Sequence, residues 1–138
     1  MNYWFVNLPR EDMEHCMKIG TFGLNSKQSM GRIEPGDALI CCVTKEKPWK
    51  IIGFGEITTA MYVDDKPIFK KSGGFWYRFD FKAERLPSDK EIDALSLMSE
   101  FSFVTNYMYW PVYFKGGVKS ISKKDYELAR SKLVGKNQ

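Results

Sequence analysis

Hydrophobic and polar positions along the chain switch between a period of two and a period near 3.6, and the switches divide it into elements. NYWFVN, residues 2–7, alternates rings and aliphatic groups with smaller residues and predicts a first strand. Pro9 suits the first turn of a helix, with Glu11 and Asp12 where the helix dipole favours acids. Met13, Cys16 and Met17 recur at helical spacing as its buried stripe, and Lys18 and Gly20 mark its end. GTFGLN, residues 20–25, then reads as a short loop that holds an aromatic between glycines. EPGD, residues 34–37, predicts a type II turn, and the ALICCV that follows is a strand too apolar for an edge. KEKPWK, residues 45–50, is a hairpin-like connection into a long strand, IIGFGEITTAMYV, whose Gly53 and Gly55 signal a bulge or a close backbone approach. After a DDKP turn, FWYRFDFKAERL (75–86) alternates cleanly. Phe75, Tyr77, Phe79 and Phe81 share one face; Trp76, Arg78, Asp80 and Lys82 share the other. Residues 89–98 give one short helix or turn, and FSFVTNYMYWPVYF (101–114) is an aromatic-rich strand ending before a glycine pair. Ser122 to Asp125 resembles a capping box that opens a last helix, with Tyr126, Ala129 and Leu133 inward and Lys123, Lys124 and Arg130 outward.

Helices near both ends and hairpin-linked strands between them predict an α+β fold. The expected architecture is a strongly curved mixed sheet forming a small barrel with flanking helices. The 138 residues fit one domain, 1–138, built on one core. At 43% apolar and 28% charged the composition is that of an ordinary globular protein, but 15% aromatic residues exceed what a small core needs, so some rings are expected to serve a surface or pocket. No apolar run approaches the roughly 20 residues of a membrane span, and the N-terminus lacks the charged start and apolar run of a secretory signal, so a cytoplasmic location is expected. The net charge of +4 is uneven: residues 1–69 hold 8 basic and 9 acidic side chains, residues 70–138 hold 13 and 8. From Lys115 onward there are 7 basic and 2 acidic residues, compatible either with a phosphate-contacting edge or with a solvated basic helix.

The chemistry-bearing residues argue against an enzyme. Cys41 and Cys42 are neighbours in a strand and point to opposite faces, so with Cys16 they read as reduced, buried thiols. The one histidine, His15, lies mid-helix, and no zinc spacing, phosphate-binding loop or nucleophile motif appears. No cofactor or metal is expected. Asp64 and Asp65 form an acidic turn; Glu56 follows Gly55 in a strand as a paired core acid or a pocket-floor acid. A small hydrolase or nucleotide-processing activity would have to rest on these carboxylates.

NYWFV at the start, the aromatic-glycine loop, RIEPGD before an apolar strand, IIGFGEI, MYVDD and IFK, followed in order by FWYRFDFK, FSFVTNYMYW and ISKKDYELA, together resemble the EVE domains of the PUA-like superfamily, relatives of the YTH domains. The likeness covers nearly the whole chain and is closest to the archaeal-type stand-alone members. It implies a barrel-like mixed sheet with flanking helices. It also implies a non-catalytic module that binds DNA or RNA carrying a modified or flipped base, often beside separately encoded restriction or RNA-modifying proteins, and with no membrane. A PUA-like RNA-binding module with little base selectivity is the alternative.

The same resemblance implies a site. Phe22 falls where relatives carry one aromatic wall of the base cage, a core residue under the loop being its alternative, with Asn25 close by to offer a donor and an acceptor to a base edge. The second wall is expected between Tyr62 and Trp76, where Phe69 matches best by spacing and Tyr62 and Trp76 are rivals. Asn7, at the end of the first strand, and Trp110 border the pocket in relatives; a turn residue and a core tryptophan are their alternatives. Phosphate contacts are expected from Lys27, Arg32, Lys70, Lys71 and Lys119, and from Arg78 beside Trp76.

Overall fold

β1 (Tyr3–Pro9) runs straight into α1 (Arg10–Ile19), because Pro9 keeps the extended φ and ψ of −55° and 153° one residue before the helix starts. The structure is a computed structural model that describes residues 1–24, 32–46, 49–66, 77–104 and 117–136. Gly20, at φ 76°, ends α1 in the left-handed conformation, and its N–H donates to the Cys16 carbonyl at 2.8 Å. β2 (Thr21–Leu24), β3 (Ala38–Thr44), β4 (Lys50–Ile57), β5 (Tyr62–Val63) and β6 (Tyr77–Arg85) follow. β7 (Ile92–Asp93), α2 (Leu95–Met98), β8 (Val118–Ile121) and α3 (Lys123–Lys136) complete the described elements.

The eight strands form one mixed sheet in the order β2-β6-β4-β3-β1-β8, with β5 added along β6 and β7 along β4. β1 and β3 are parallel, Tyr3 opposite Ala38 through Pro9 opposite Thr44, while the other described pairs are antiparallel. The parallel pair needs a crossover, which α1 supplies. The turn that launches β3 has the expected geometry: Gly36 sits at φ 93°, and the Asp37 N–H donates to the Glu34 carbonyl at 3.1 Å.

The sheet curls around an inner core. Trp4, Val6, Phe22, Leu39, Cys41, Ile52, Phe79 and Phe81 meet there with Met13 and Cys16 of α1. The opposite face carries Phe5, Ile40, Cys42, Ile51 and Phe54 under Leu97, Phe101 and Ala129. Cys41 and Cys42 thus enter different cores, as strand alternation requires. The two ends of the strand path approach each other: a methyl placed on Gly117, at φ 83°, would fall 2.8 Å from a Leu24 methyl and 3.6 Å from the Asn7 carbonyl oxygen. The curled, barrel-like α+β architecture read from the sequence is therefore present.

Some elements differ from the sequence reading. TFGL is strand β2 rather than loop, because Phe22 and Leu24 alternate inward opposite Phe79 and Tyr77. The long strand breaks after Ile57, where the Thr58 N–H turns to the Asp80 carbonyl at 2.9 Å, and resumes as β5. Phe101–Val104 form a turn, the rest of the expected aromatic-rich strand lies outside the described residues, and a further strand, β8, follows the glycines. The last helix has half of its capping box. The Asp125 N–H donates to Ser122 Oγ at 3.1 Å, but the Asp125 carboxylate turns to Ser102, accepting its N–H at 3.0 Å and its hydroxyl at 2.7 Å. Arg130 does not simply face water: its guanidinium lies 4.6 Å from the Phe54 ring centroid and pairs with Glu84 at 2.9 Å.

Candidate functional site

Five strand ends converge at one end of the barrel. Leu24 pairs with Tyr77, Tyr77 pairs with Val63, and Gly117 abuts Leu24. The Asn7 N–H donates to the Gly117 carbonyl at 2.9 Å, which brings the end of β1 to the same rim. This convergence follows from the pairing of β6. Its first residues are bracketed by β2 on one side and β5 on the other, while its second half pairs with β4.

The outer face of β6 beside the rim is polar and closely knit. Asp80 Oδ1 accepts the Thr21 hydroxyl at 2.9 Å and the Tyr62 hydroxyl at 2.6 Å, and the Asp80 N–H donates to Thr59 Oγ1 at 2.9 Å. Burial, then the hydrogen bond and charge of Asp80, push the Tyr62 phenol above its ordinary pKa. Two residues away Arg78, only 4% exposed, pairs with Asp64 at 3.5 Å and donates to the Lys66 carbonyl.

Elsewhere, the Lys119 ammonium lies 5.1 Å from the Phe103 ring centroid, and Phe103 stacks on Phe101 at 5.3 Å and 18°. Lys123 and Lys124 are exposed at the start of α3. Two shallow grooves of about 310 and 330 Å³ flank α3 and share Gly55, Glu56 and Tyr126, and a third of about 490 Å³ lies between Lys50, Asp93, Ser96 and Lys132. The grooves carry charges of both signs. Among the described residues no cluster of three or more His, Cys, Asp or Glu is placed to hold a metal ion, and no helix is long and apolar enough to cross a membrane. The three thiols are free and buried, and burial pushes Cys16 up to about 12.

No family model matches the chain. It is 28% identical over 145 residues to UPF0310 protein PH1033 of Pyrococcus horikoshii, covering 97% of this chain and 100% of that one. Among solved structures, a hypothetical protein from Leishmania major superposes with a TM-score of 0.75 at 15% identity, covering 100% of this chain and 98% of that one. The human THYN1 protein, in complex with 5-methylcytosine-containing DNA, gives 0.66 at 12%, covering 100% and 99%. The Mmi1 YTH domain gives 0.64 at 12%, covering 97% and 88%. This is the EVE-type, PUA-like fold.

Within the EVE-type fold, the expected site residues separate. Phe22 is a correction: its ring is 0% exposed and packs on Phe79 at 5.3 Å in the inner core, so it offers no face to a ligand. The glycines beside it end α1 and sit within β2; they do not turn a loop around the ring. Tyr62 lies on the outer face of β6, opposite the side Phe22 occupies, with its hydroxyl held by Asp80. Arg78 is a second correction: an expected phosphate contact is instead buried against its own chain, because the turn after β5 folds over it. Arg32 is exposed, but its carbonyl accepts the Asn2 side chain at 3.4 Å, which puts it at the far end of β1 from Asn7, about 16 Å away along the strand. Asn7 is half-buried at the rim, on the strand face shared with Phe5. Lys119 is half-buried against Phe103, in register with Phe5. Asn25, Lys27, Phe69, Lys70, Lys71, Trp76 and Trp110 lie outside the described residues. Sequence reasoning missed Asp80 and Thr59 as the polar anchors beside the rim. The period-two alternation placed Asp80 on the outer face, but nothing local identified its partners.

Proposed function

We propose that the chain is a single, non-catalytic nucleic-acid-binding module spanning residues 1–138 that reads a modified or flipped nucleobase at the rim where β1, β2, β6 and β8 meet. The observation that carries this reading is the whole-length fold match to the human THYN1 protein in complex with 5-methylcytosine-containing DNA. The match to a YTH domain and the excess of basic residues after Lys115 support it. A flipped base needs stacking faces and hydrogen bonds to its edge. With Phe22 in the core, the stacking faces in this reading come from Phe69, Trp76 and Trp110, the polar contacts from Asn7 and Asn25. Backbone phosphates meet Lys27, Lys70, Lys71 and Lys119. Separately encoded restriction or RNA-modification proteins supply any catalysis.

The buried position of Phe22 favours a second reading, a PUA-like RNA-binding module with little base selectivity. One experiment separates the two. Short DNA and RNA oligonucleotides with and without 5-methylcytosine or N6-methyladenine are titrated while tryptophan fluorescence is followed at several salt concentrations. Tighter binding of one modified oligonucleotide supports base reading. Equal binding with preference for structured RNA supports the second reading, and weak, purely salt-driven binding of every oligonucleotide removes the pocket.

A further inference from the structure

Arg78 is a buried cation that neither core uses. It sits on β6 between Gly23 of β2 and Tyr62 of β5, 4% exposed. A buried charge is retained only when it is paired and hydrogen-bonded. Two of its partners, the Asp64 carboxylate at 3.5 Å and the Lys66 carbonyl, belong to the stretch just after β5. Two residues along the same face, Asp80 holds the earlier part of that stretch. Its carbonyl accepts the Thr58 N–H at 2.9 Å, its N–H donates to Thr59 Oγ1 at 2.9 Å, and its carboxylate accepts the Tyr62 hydroxyl at 2.6 Å. β5 itself is two residues long, too short a ladder to fix a segment alone. Arg78 and Asp80, through side chains and the Asp80 main chain, therefore do what a longer ladder would otherwise do. An arginine that meets phosphate presents its fork to solvent, and this one is turned into its own chain.

We infer that Arg78 and Asp80 form a clasp that holds residues 58–66 on the outer face of β6, keeping Val63 opposite Tyr77 and so fixing one side of the rim. Arg78 is a positioning residue, and the clasp governs how sharply one base is distinguished from another. This last part rests on the base-reading proposal above; the clasp itself does not.

The test uses the full chain as wild type, Arg78→Lys, Asp64→Asn and Tyr62→Phe, with two readouts. Amide hydrogen exchange is expected to quicken about tenfold or more across residues 58–66 in Arg78→Lys and Asp64→Asn, less in Tyr62→Phe, with β3 and β4 unchanged. A DNA duplex carrying one 5-methylcytosine is then compared with its unmodified counterpart. The affinity ratio is expected to fall at least threefold while the slope of log affinity against log salt stays the same. Unchanged exchange overturns the clasp. A slope reduced by about one with the ratio intact makes Arg78 a phosphate contact after all and overturns its positioning role. If Arg78→Lys does not fold, Asp64→Asn and Tyr62→Phe, both at half-exposed positions, decide the matter. If the wild type binds both duplexes equally, the base-reading proposal fails, and the exchange rates still decide the clasp.

Discussion

The indole N–H of Trp4 donates to a carboxylate oxygen of Asp37 at 2.9 Å, tying the first strand to the turn that launches its parallel neighbour. The same carboxylate, 1% exposed, accepts the main-chain N–H groups of Asn2 at 2.8 Å and Glu34 at 3.0 Å. Burial works against the charge, but these donors outweigh it and hold Asp37 below the usual carboxylate range. Asp37→Ala strands three donors at once, the Trp4 indole buried and the two main-chain N–H groups partly so, and is expected to cost about 3 kcal/mol in urea unfolding. Trp4→Phe, which removes one donor and keeps most of the ring, should cost about half as much.

Acid should loosen the fold through a defined set of carboxyls. Hydrogen bonds from Arg10 lower the pKa of Glu46 and of Glu91, Arg85 adds to the effect on Glu91, and Asp37 is lowered as described. Each binds its proton more weakly folded than unfolded. Their stabilisation is therefore complete above the unfolded carboxylate range, near 3.9–4.3, and is lost as pH falls through the lower folded values. Glu91→Gln should lower stability by about 1–2 kcal/mol at pH 7, and the gap to wild type should close in strong acid. Thermal melts from pH 7 to pH 2 check this; a gap that persists undiminished at the acid end contradicts it.

Phe22→Ala is expected to cost about 3–5 kcal/mol, the range for emptying an aromatic site in a core. Phe22→Leu should cost far less and leave oligonucleotide binding as it is in the wild type. Selective loss of binding in a stably folded Phe22→Leu protein would restore the ring to the ligand site.

Gly53→Ala tests the closeness of α1 to the sheet. A methyl there would collide with the end of Met17 and lie 2.7 Å from the Glu84 carbonyl oxygen. The side chain is able to yield and the backbone is not, so a loss of about 1–3 kcal/mol is expected. Adding Met17→Ala should recover only part of it.

Much of the fold was legible because inward and outward positions alternate without ambiguity on β1, β3 and β6, and because Gly20 and the EPGD turn carry local conformational signals. β2 was misread because two glycines so close together look like a loop, although Thr21-Phe22-Gly23-Leu24 already alternates. β8 escaped because its buried Val118 and Ile121 are three residues apart, a spacing that fits no single strand face. The site was less legible for a different reason. Alternation put Arg78 and Asp80 on the face away from the inner core, and that is where they are. Whether an outer-face arginine meets water or a neighbouring turn depends on Asp64 and Lys66, which sequence spacing does not place against it.

β1 lies between β3 and β8 and pairs with both, Tyr3 to Val6 matching Ile121 to Val118. On the ribosome, β1 thus waits for a partner strand, β8, that is made long after it. Until residues 118–121 leave the exit tunnel, Tyr3 to Val6 present an unsatisfied, apolar border to other nascent chains. Release short of that point should yield aggregates instead of a smaller folded body.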